Sequence, residues 1–120
     1  MASATLLLSH RHMTDREKTS ALLSAFHREA QRFYGDRLKG VYLYASRARG
    51  EAEPDADVDI LIILDDWSDY AEEVDRTGEI GSRLSLAYDL SIRQVFVRER
   101  DWLRSKTPFL LNARQDAIPA

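Results

Sequence analysis

Two aspartates one residue apart are the part of the sequence whose residue types and spacing point most directly to chemistry. Asp57 and Asp59 flank Val58 at the start of an apolar run. Residues i and i+2 of a β-strand point to the same face, so the two carboxylates are predicted to share one site while Val58 packs into the core. Carboxylates this close raise each other's pKa unless a cation lies between them. Mg²⁺ takes oxygen ligands and is usually held by one or two carboxylates plus substrate phosphates, so this spacing predicts a magnesium site.

The turn before the aspartates offers groups that can bind phosphate. Ser46 follows an apolar segment and supplies a hydroxyl and a backbone N–H at the start of the turn. Arg47 and Arg49 can add bidentate contacts to phosphate oxygens. An aspartate pair alone at a strand entrance is more often a solvated edge. The combined spacing of the serine, the arginines and the aspartates favours a nucleotide and metal site instead.

The flanking segments predict one small α/β domain with a short β-sheet and helices packed on it. Thr14 and Glu17 have the spacing of a capping box, and the apolar residues that follow recur three and four residues apart, which predicts a helix over residues 15–34. The other predicted elements are strands over 41–44 and 58–64, a helix from a cap at Ser68 to about Tyr88 with a bend or break at Gly78 or Gly81, a strand over 91–97, and short helices over 101–105 and 108–114.

Composition limits the classes of function. The chain has 120 residues, of which 44% are hydrophobic and 31% charged, so we expect a globular domain without room for a separate substrate domain. A net charge of −3 argues against general nucleic-acid binding. Neither a membrane-length apolar run nor a cysteine occurs, which predicts a soluble, cytoplasmic protein. Residues 1–13 lack the features of a signal peptide and are predicted to be a flexible extension of a single domain over 14–120.

The segment from Ser46 to Asp59, SRARGEAEPDADVD, resembles the signature of the minimal nucleotidyltransferases (MNT), a single-domain branch of the polymerase-beta-like superfamily. That signature is usually written Gly-Ser, ten residues, Asp-x-Asp, and the element order over roughly residues 15–114 also follows the family. The resemblance implies the small α+β nucleotidyltransferase fold, with a short mixed sheet. It implies that Asp57 and Asp59 bind two catalytic Mg²⁺ ions and that Ser46 binds the nucleotide phosphates. The implied reaction transfers a nucleoside monophosphate, AMP from ATP, to a hydroxyl group with loss of pyrophosphate.

The resemblance also implies a partner protein. Minimal members of this kind commonly pair with a HEPN-type RNase, and some act as antitoxins by adding AMP to a tyrosine of that toxin. The resemblance therefore predicts the antitoxin of a HEPN/MNT toxin–antitoxin pair, acting by AMPylation with ATP as donor and the partner protein as acceptor. Homo- and hetero-oligomers both remain open.

Two positions depart from the family pattern. Ala45 stands where the family has the glycine before the serine, and its methyl costs on the order of 1 kcal/mol if φ is positive or the approach to phosphate is tight. Active members usually carry a third carboxylate on the next strand, facing the aspartate pair. Asp89 is the carboxylate nearest that strand and the candidate third catalytic residue, while Arg93 falls nearer the expected position. These departures motivate an alternative, a catalytically degenerate module that neutralises or scaffolds a HEPN-type partner without chemistry.

Overall fold

Five α-helices and four strands make up the described part of the chain. The computed structural model describes residues 14–53 and 55–120, and the predicted extension over residues 1–13 lies outside this part. The elements are α1 Asp15–Tyr34, a 3-10 helix Gly35–Arg37, β1 Leu38–Leu43, α2 Ala45–Ala48, β2 Val58–Leu64, α3 Tyr70–Tyr88, β3 Ile92–Arg98, α4 Glu99–Arg104, α5 Pro108–Asp116 and β4 Ile118–Pro119. None of the helices described over these residues is long and apolar enough to cross a membrane.

The two long helices begin at capping residues. The Thr14 side chain accepts a hydrogen bond from the Glu17 N–H at 3.1 Å, so α1 starts where its capping box predicts. Helix α3 is capped by Asp69 rather than by the predicted Ser68, because the Asp69 carboxylate accepts hydrogen bonds from the first-turn N–H groups. Helix α3 runs through Gly78 and Gly81 without a break.

The sheet has the order β3-β2-β1-β4, which makes β2 one of its two inner strands. Strand β1 pairs antiparallel with β2 and with β4, whereas β2 and β3 are parallel, so the predicted mixed sheet is confirmed. All seven residues of β2 are buried, which accounts for its continuous apolar sequence.

Helices cover both faces of the sheet, and the alternation along β2 divides its side chains between them. Ile60 and Ile62 pack in the same cluster as apolar residues of α1 and α3. Leu61 and Ile63 pack in a second cluster with α4 and α5. Asp59 is two residues before Leu61 and therefore points to the same face of β2 as Leu61 and Ile63, the face that the two short C-terminal helices partly cover.

A glycine of α3 lies against a side chain of β3. Gln94 of β3 lies against Gly81, where an added Cβ would overlap its side-chain amide, and it accepts a hydrogen bond from the Thr77 hydroxyl at 2.5 Å. Gly78, one turn earlier, has open space around the position of a Cβ. Of these two helix glycines, only Gly81 has a neighbouring side chain that a methyl group would displace.

The two outer strands of the sheet, β3 and β4, differ in what lies along their backbones. On β3, the Phe96 N–H donates a hydrogen bond to the Tyr70 hydroxyl at 3.2 Å, and the two rings pack edge to face at 5.9 Å. On β4, Pro119 lies across from Tyr42 of β1. This fourth strand was not predicted, because two residues carry no readable periodicity.

Candidate active site

Strand register brings Asp57, Asp59 and Arg93 together at one end of the sheet. Asp59 on β2 lies directly across from Arg93 on the parallel strand β3. Arg93 Nη2 donates a hydrogen bond to Asp57 Oδ2 at 2.9 Å, and its Nη1 lies 3.6 Å from Asp59 Oδ1. Val58, between the aspartates, is fully buried in the cluster on the opposite face. The two carboxylates therefore share one site, as their spacing predicts.

Asp59 is the buried member of the pair. The residue is 8% exposed, and its Oδ1 accepts no hydrogen bond from any residue in the described part of the chain. Burial raises the pKa of this carboxyl above its ordinary value; Arg93 opposes the rise, and the Asp57 charge adds to it. Leaving a buried acceptor unsatisfied costs about 1–3 kcal/mol. Two converging carboxylates with such an oxygen are a donor set that fits a hard divalent cation such as Mg²⁺.

Tyr44 forms the neighbouring wall of the site. Its backbone N–H donates a hydrogen bond to the Asp59 carbonyl at 3.1 Å, which continues the β1–β2 ladder past Leu43. Burial, reinforced by the Asp59 charge, raises the pKa of Tyr44 to about 12, so its phenol is neutral at physiological pH. The ring packs edge to face against Phe109 of α5 at 5.9 Å. The sequence reasoning did not single out Tyr44, although its place directly before Ala45 and Ser46 is a usable signal.

Ala45 and Ser46 turn the chain sharply after β1. Ala45 has a φ of +62°, the left-handed region that favours glycine. The positive φ anticipated at the family's glycine position is therefore present, and it is occupied by a residue with a Cβ. Ser46 follows in the single helical turn α2, and its carbonyl accepts a hydrogen bond from the Glu51 N–H at 2.9 Å. Ser46 lies two residues after Tyr44, which bonds to Asp59, so the sharp turn starts beside the aspartates.

Arg47 has a structural role, and its partners inside the protein do not favour the predicted phosphate contact. Its side chain is 3% exposed and forms an ion pair with Asp15 at 2.7 Å. It also donates hydrogen bonds to the Thr19 hydroxyl at 3.1 Å and to the Ala56 carbonyl at 2.7 Å. The guanidinium is thus used inside the protein, where it fastens the turn before β2 to the start of α1.

Arg49 remains accessible at the end of the same helical turn. Its side chain is 42% exposed and pairs with Glu51 at 3.1 Å and Asp116 at 3.4 Å. Exposed pairs of this kind are weak and exchangeable, so a phosphate contact by Arg49 stays a prediction. Arg47 and Arg49 line a cleft of about 570 Å³ between α1, α2 and β4, and neither Asp57 nor Asp59 lines this cleft.

Asp89 does not complete a three-carboxylate site, contrary to the prediction. It is the C-terminal cap of α3, with a left-handed φ of 54°, and lies three residues before β3 begins. Within residues 14–53 and 55–120, no three acidic, histidine or cysteine side chains gather closely enough to hold a metal ion. Asp89 serves to end the helix, and the strand position facing Asp59 is taken by Arg93.

The sequence is similar to those of known proteins. Residues 23–116 match the family described as the nucleotidyltransferase domain. A protein of Methanocaldococcus jannaschii, named as a candidate protein adenylyltransferase, is 30% identical over 78 residues, which span 65% of this chain and 78% of the relative.

Solved structures share the fold. A toxin–antitoxin crystallised with AMP-PNP has a TM-score of 0.53 at 21% identity and covers 78% of this chain and 68% of its own. A mutant of the toxin–antitoxin MntA-HpeT has a TM-score of 0.52 at 19% identity, with the same coverage. A candidate nucleotidyltransferase from Sulfolobus solfataricus has a TM-score of 0.55 at 18% identity and covers 89% of this chain and 86% of its own.

Proposed function

Because this chain belongs to the nucleotidyltransferase domain family, we propose that it transfers AMP from ATP to a hydroxyl group of a partner protein, using Mg²⁺ held by Asp57 and Asp59. The observation that carries the proposal is the convergence of these carboxylates on one site in which Asp59 Oδ1 is buried without a hydrogen-bond partner among the described residues. In the transfer, the acceptor oxygen attacks the α-phosphorus, the bond to the β-phosphate oxygen breaks, and pyrophosphate leaves as the hydroxyl proton passes to water.

Five residues have a role in this proposal. Asp57 and Asp59 hold the cation, which when bound would lower the pKa of the attacking hydroxyl and neutralise charge on the phosphates. Ser46 and the backbone of its turn hold the phosphates, with Arg49 within the same turn as an added cationic contact. Tyr44, neutral and buried, walls the site on the β1 side and limits the access of water to Asp59.

The proposed acceptor is a protein, and the proposed partner is a HEPN-type RNase toxin that this chain would neutralise as an antitoxin in the cytoplasm. Two findings support the direction of this proposal. The relative from Methanocaldococcus jannaschii is named as a candidate protein adenylyltransferase. Two of the solved structures that share the fold are toxin–antitoxin assemblies, one of them with AMP-PNP.

The direct test is transfer of label. The protein is incubated with ATP labelled at the α-phosphate, with Mg²⁺ and with the cognate partner, and the partner's intact mass is measured in parallel. We expect one or more AMP groups on the partner, and none with Asp57→Asn or Asp59→Asn. Asp75→Asn removes an exposed carboxylate from α3 and serves as the matched control, which should transfer normally. An unlabelled partner that still binds this chain would refute the proposed reaction.

A second function is favoured by a specific observation, the pairing of Arg93 with both aspartates in a site without a third carboxylate. Under this alternative the chain neutralises its partner by covering its surface, and the site is structural. The double variant Asp57→Asn with Asp59→Asn separates the two functions. It should lose neutralisation if AMP transfer is required and retain it if surface contact is sufficient.

A further inference from the structure

The residue that the proposed reaction leaves without a task is Arg93, which contacts both members of the aspartate pair. Its guanidinium lies 2.9 Å from Asp57 Oδ2 and 3.6 Å from Asp59 Oδ1. These are oxygens of the same two carboxylates that a divalent cation would need. A metal ion held by both carboxylates would compete with the guanidinium, because like charges repel and both cations bind the same two acids.

We propose that Arg93 is a resident counter-cation that excludes divalent metal from the site until a nucleoside triphosphate takes up its guanidinium. This inference rests on the proposed function. In the resting protein, Arg93 offsets the charges of Asp57 and Asp59. When the triphosphate arrives, its phosphate oxygens offer the guanidinium bidentate partners, and the carboxylates are released to the metal that accompanies the nucleotide.

The burial of the three side chains supports an exchange rather than a fixed structural pair. The Arg93 side chain is 64% exposed, whereas the side chain of Asp59 is only 11% exposed. The charged pairs that Arg93 forms within the described residues are to the two aspartates, so moving it breaks no other ion pair there. Arg47 shows the opposite case, with a side chain 3% exposed that is held by an acid, a hydroxyl and a carbonyl. Asp59 is therefore held in place by burial, Asp57 is 40% exposed, and the Arg93 guanidinium that pairs with both is free to leave.

The test is a titration with Mn²⁺ alone, without nucleotide, in which free Mn²⁺ is measured by electron paramagnetic resonance. Displacing one exposed ion pair costs up to about a factor of five in affinity, and Mn²⁺ would displace the two pairs of Arg93. Arg93→Ala is therefore expected to bind Mn²⁺ about five- to tenfold more tightly than the unaltered protein. Arg83→Ala is the matched control, because it removes an exposed arginine that pairs with Glu29 and changes the net charge equally. Its Mn²⁺ affinity should be unchanged.

A second titration in saturating AMP-PNP tests the exchange itself. The triphosphate should strengthen Mn²⁺ binding more in the unaltered protein than in Arg93→Ala, which has no guanidinium to release. If the variant binds Mn²⁺ more tightly by the same factor with and without AMP-PNP, the effect is loss of charge alone and the exchange is overturned. Equal affinities of the two proteins for Mn²⁺ alone would also overturn it. Failure of AMP transfer would count against the proposed function and leave the titration with Mn²⁺ alone unaffected.

Discussion

Replacing Ala45 with glycine is expected to stabilise the protein, although glycine substitutions usually do the opposite. Ala45 has a φ of +62°, where the Cβ of an L-residue crowds the backbone at a cost of about 1–2 kcal/mol. Glycine removes that cost but enlarges the conformational freedom of the unfolded chain, which offsets about 0.4–1 kcal/mol. The net expectation is about 0.5–1 kcal/mol in favour of the variant. For a domain of this size that corresponds to a rise in Tm of about 2–5 °C.

The matched control lies in the same helical turn. Ala48→Gly makes the same chemical change at a residue that is not among the described positions of positive φ, so it should destabilise the protein by about 1 kcal/mol. Both variants are measured by urea denaturation and by calorimetry without nucleotide. Opposite signs for Ala45→Gly and Ala48→Gly are expected. Equal losses in both variants would show that the backbone at position 45 carries no strain and would refute the reasoning.

Three further predictions concern the electrostatics of the site and the packing around it. Asp59→Asn should raise the free energy of unfolding by about 1 kcal/mol at pH 7, because burial holds the pKa of Asp59 above 3.8 and its charge is costly. In urea denaturation across pH, this gain should disappear as the pH falls towards 3.8. A gain that grows on acidification would contradict the prediction. Gly81→Ala should destabilise the protein, because the added methyl group meets the side-chain amide of Gln94 on β3. Gly78→Ala, which has open space at the Cβ position, should stabilise it by up to about 1 kcal/mol. Thermal denaturation that ranks the two variants in the opposite order would exclude this packing. Arg47→Ala should cost about 2 kcal/mol in a urea titration, because it removes a buried side chain together with its hydrogen bonds to Asp15, Thr19 and Ala56. Arg49→Ala should cost under about 1 kcal/mol, because its ion pairs are exposed. Similar losses would show that burial does not separate the two arginines.

The parts of the molecule that follow from the sequence are those fixed by short-range rules. The Thr14 capping box gives the start of α1, and strand parity places Asp57 and Asp59 on one face with Val58 on the other. The positive φ at position 45 follows from the family's glycine at that place. Each of these depends on residues close in the chain, where bond geometry and hydrogen bonding leave few alternatives.

The parts that could not be predicted depend on partners far apart in the chain. Arg47 turns inward because Asp15, 32 residues earlier, supplies its ion pair, and no local pattern announces that contact. The residue that faces Asp59 depends on the register of β2 against β3, which the pattern of either strand alone does not set. The register selects Arg93, whereas α3 takes Asp89 to end its last turn.

The outer strands of the sheet limit how this protein can meet another chain. An open strand edge presents unpaired backbone N–H and C=O groups. A strand of another chain can pair with these groups, which is a common first step of aggregation. On β3 the Tyr70 hydroxyl already takes the Phe96 amide, and on β4 Pro119 has no amide hydrogen to give. At these two positions, neither edge therefore has a backbone N–H free to pair with another strand. Strand addition is consequently disfavoured there, which directs association with a partner to side-chain surfaces, where the partner can be chosen by shape and charge.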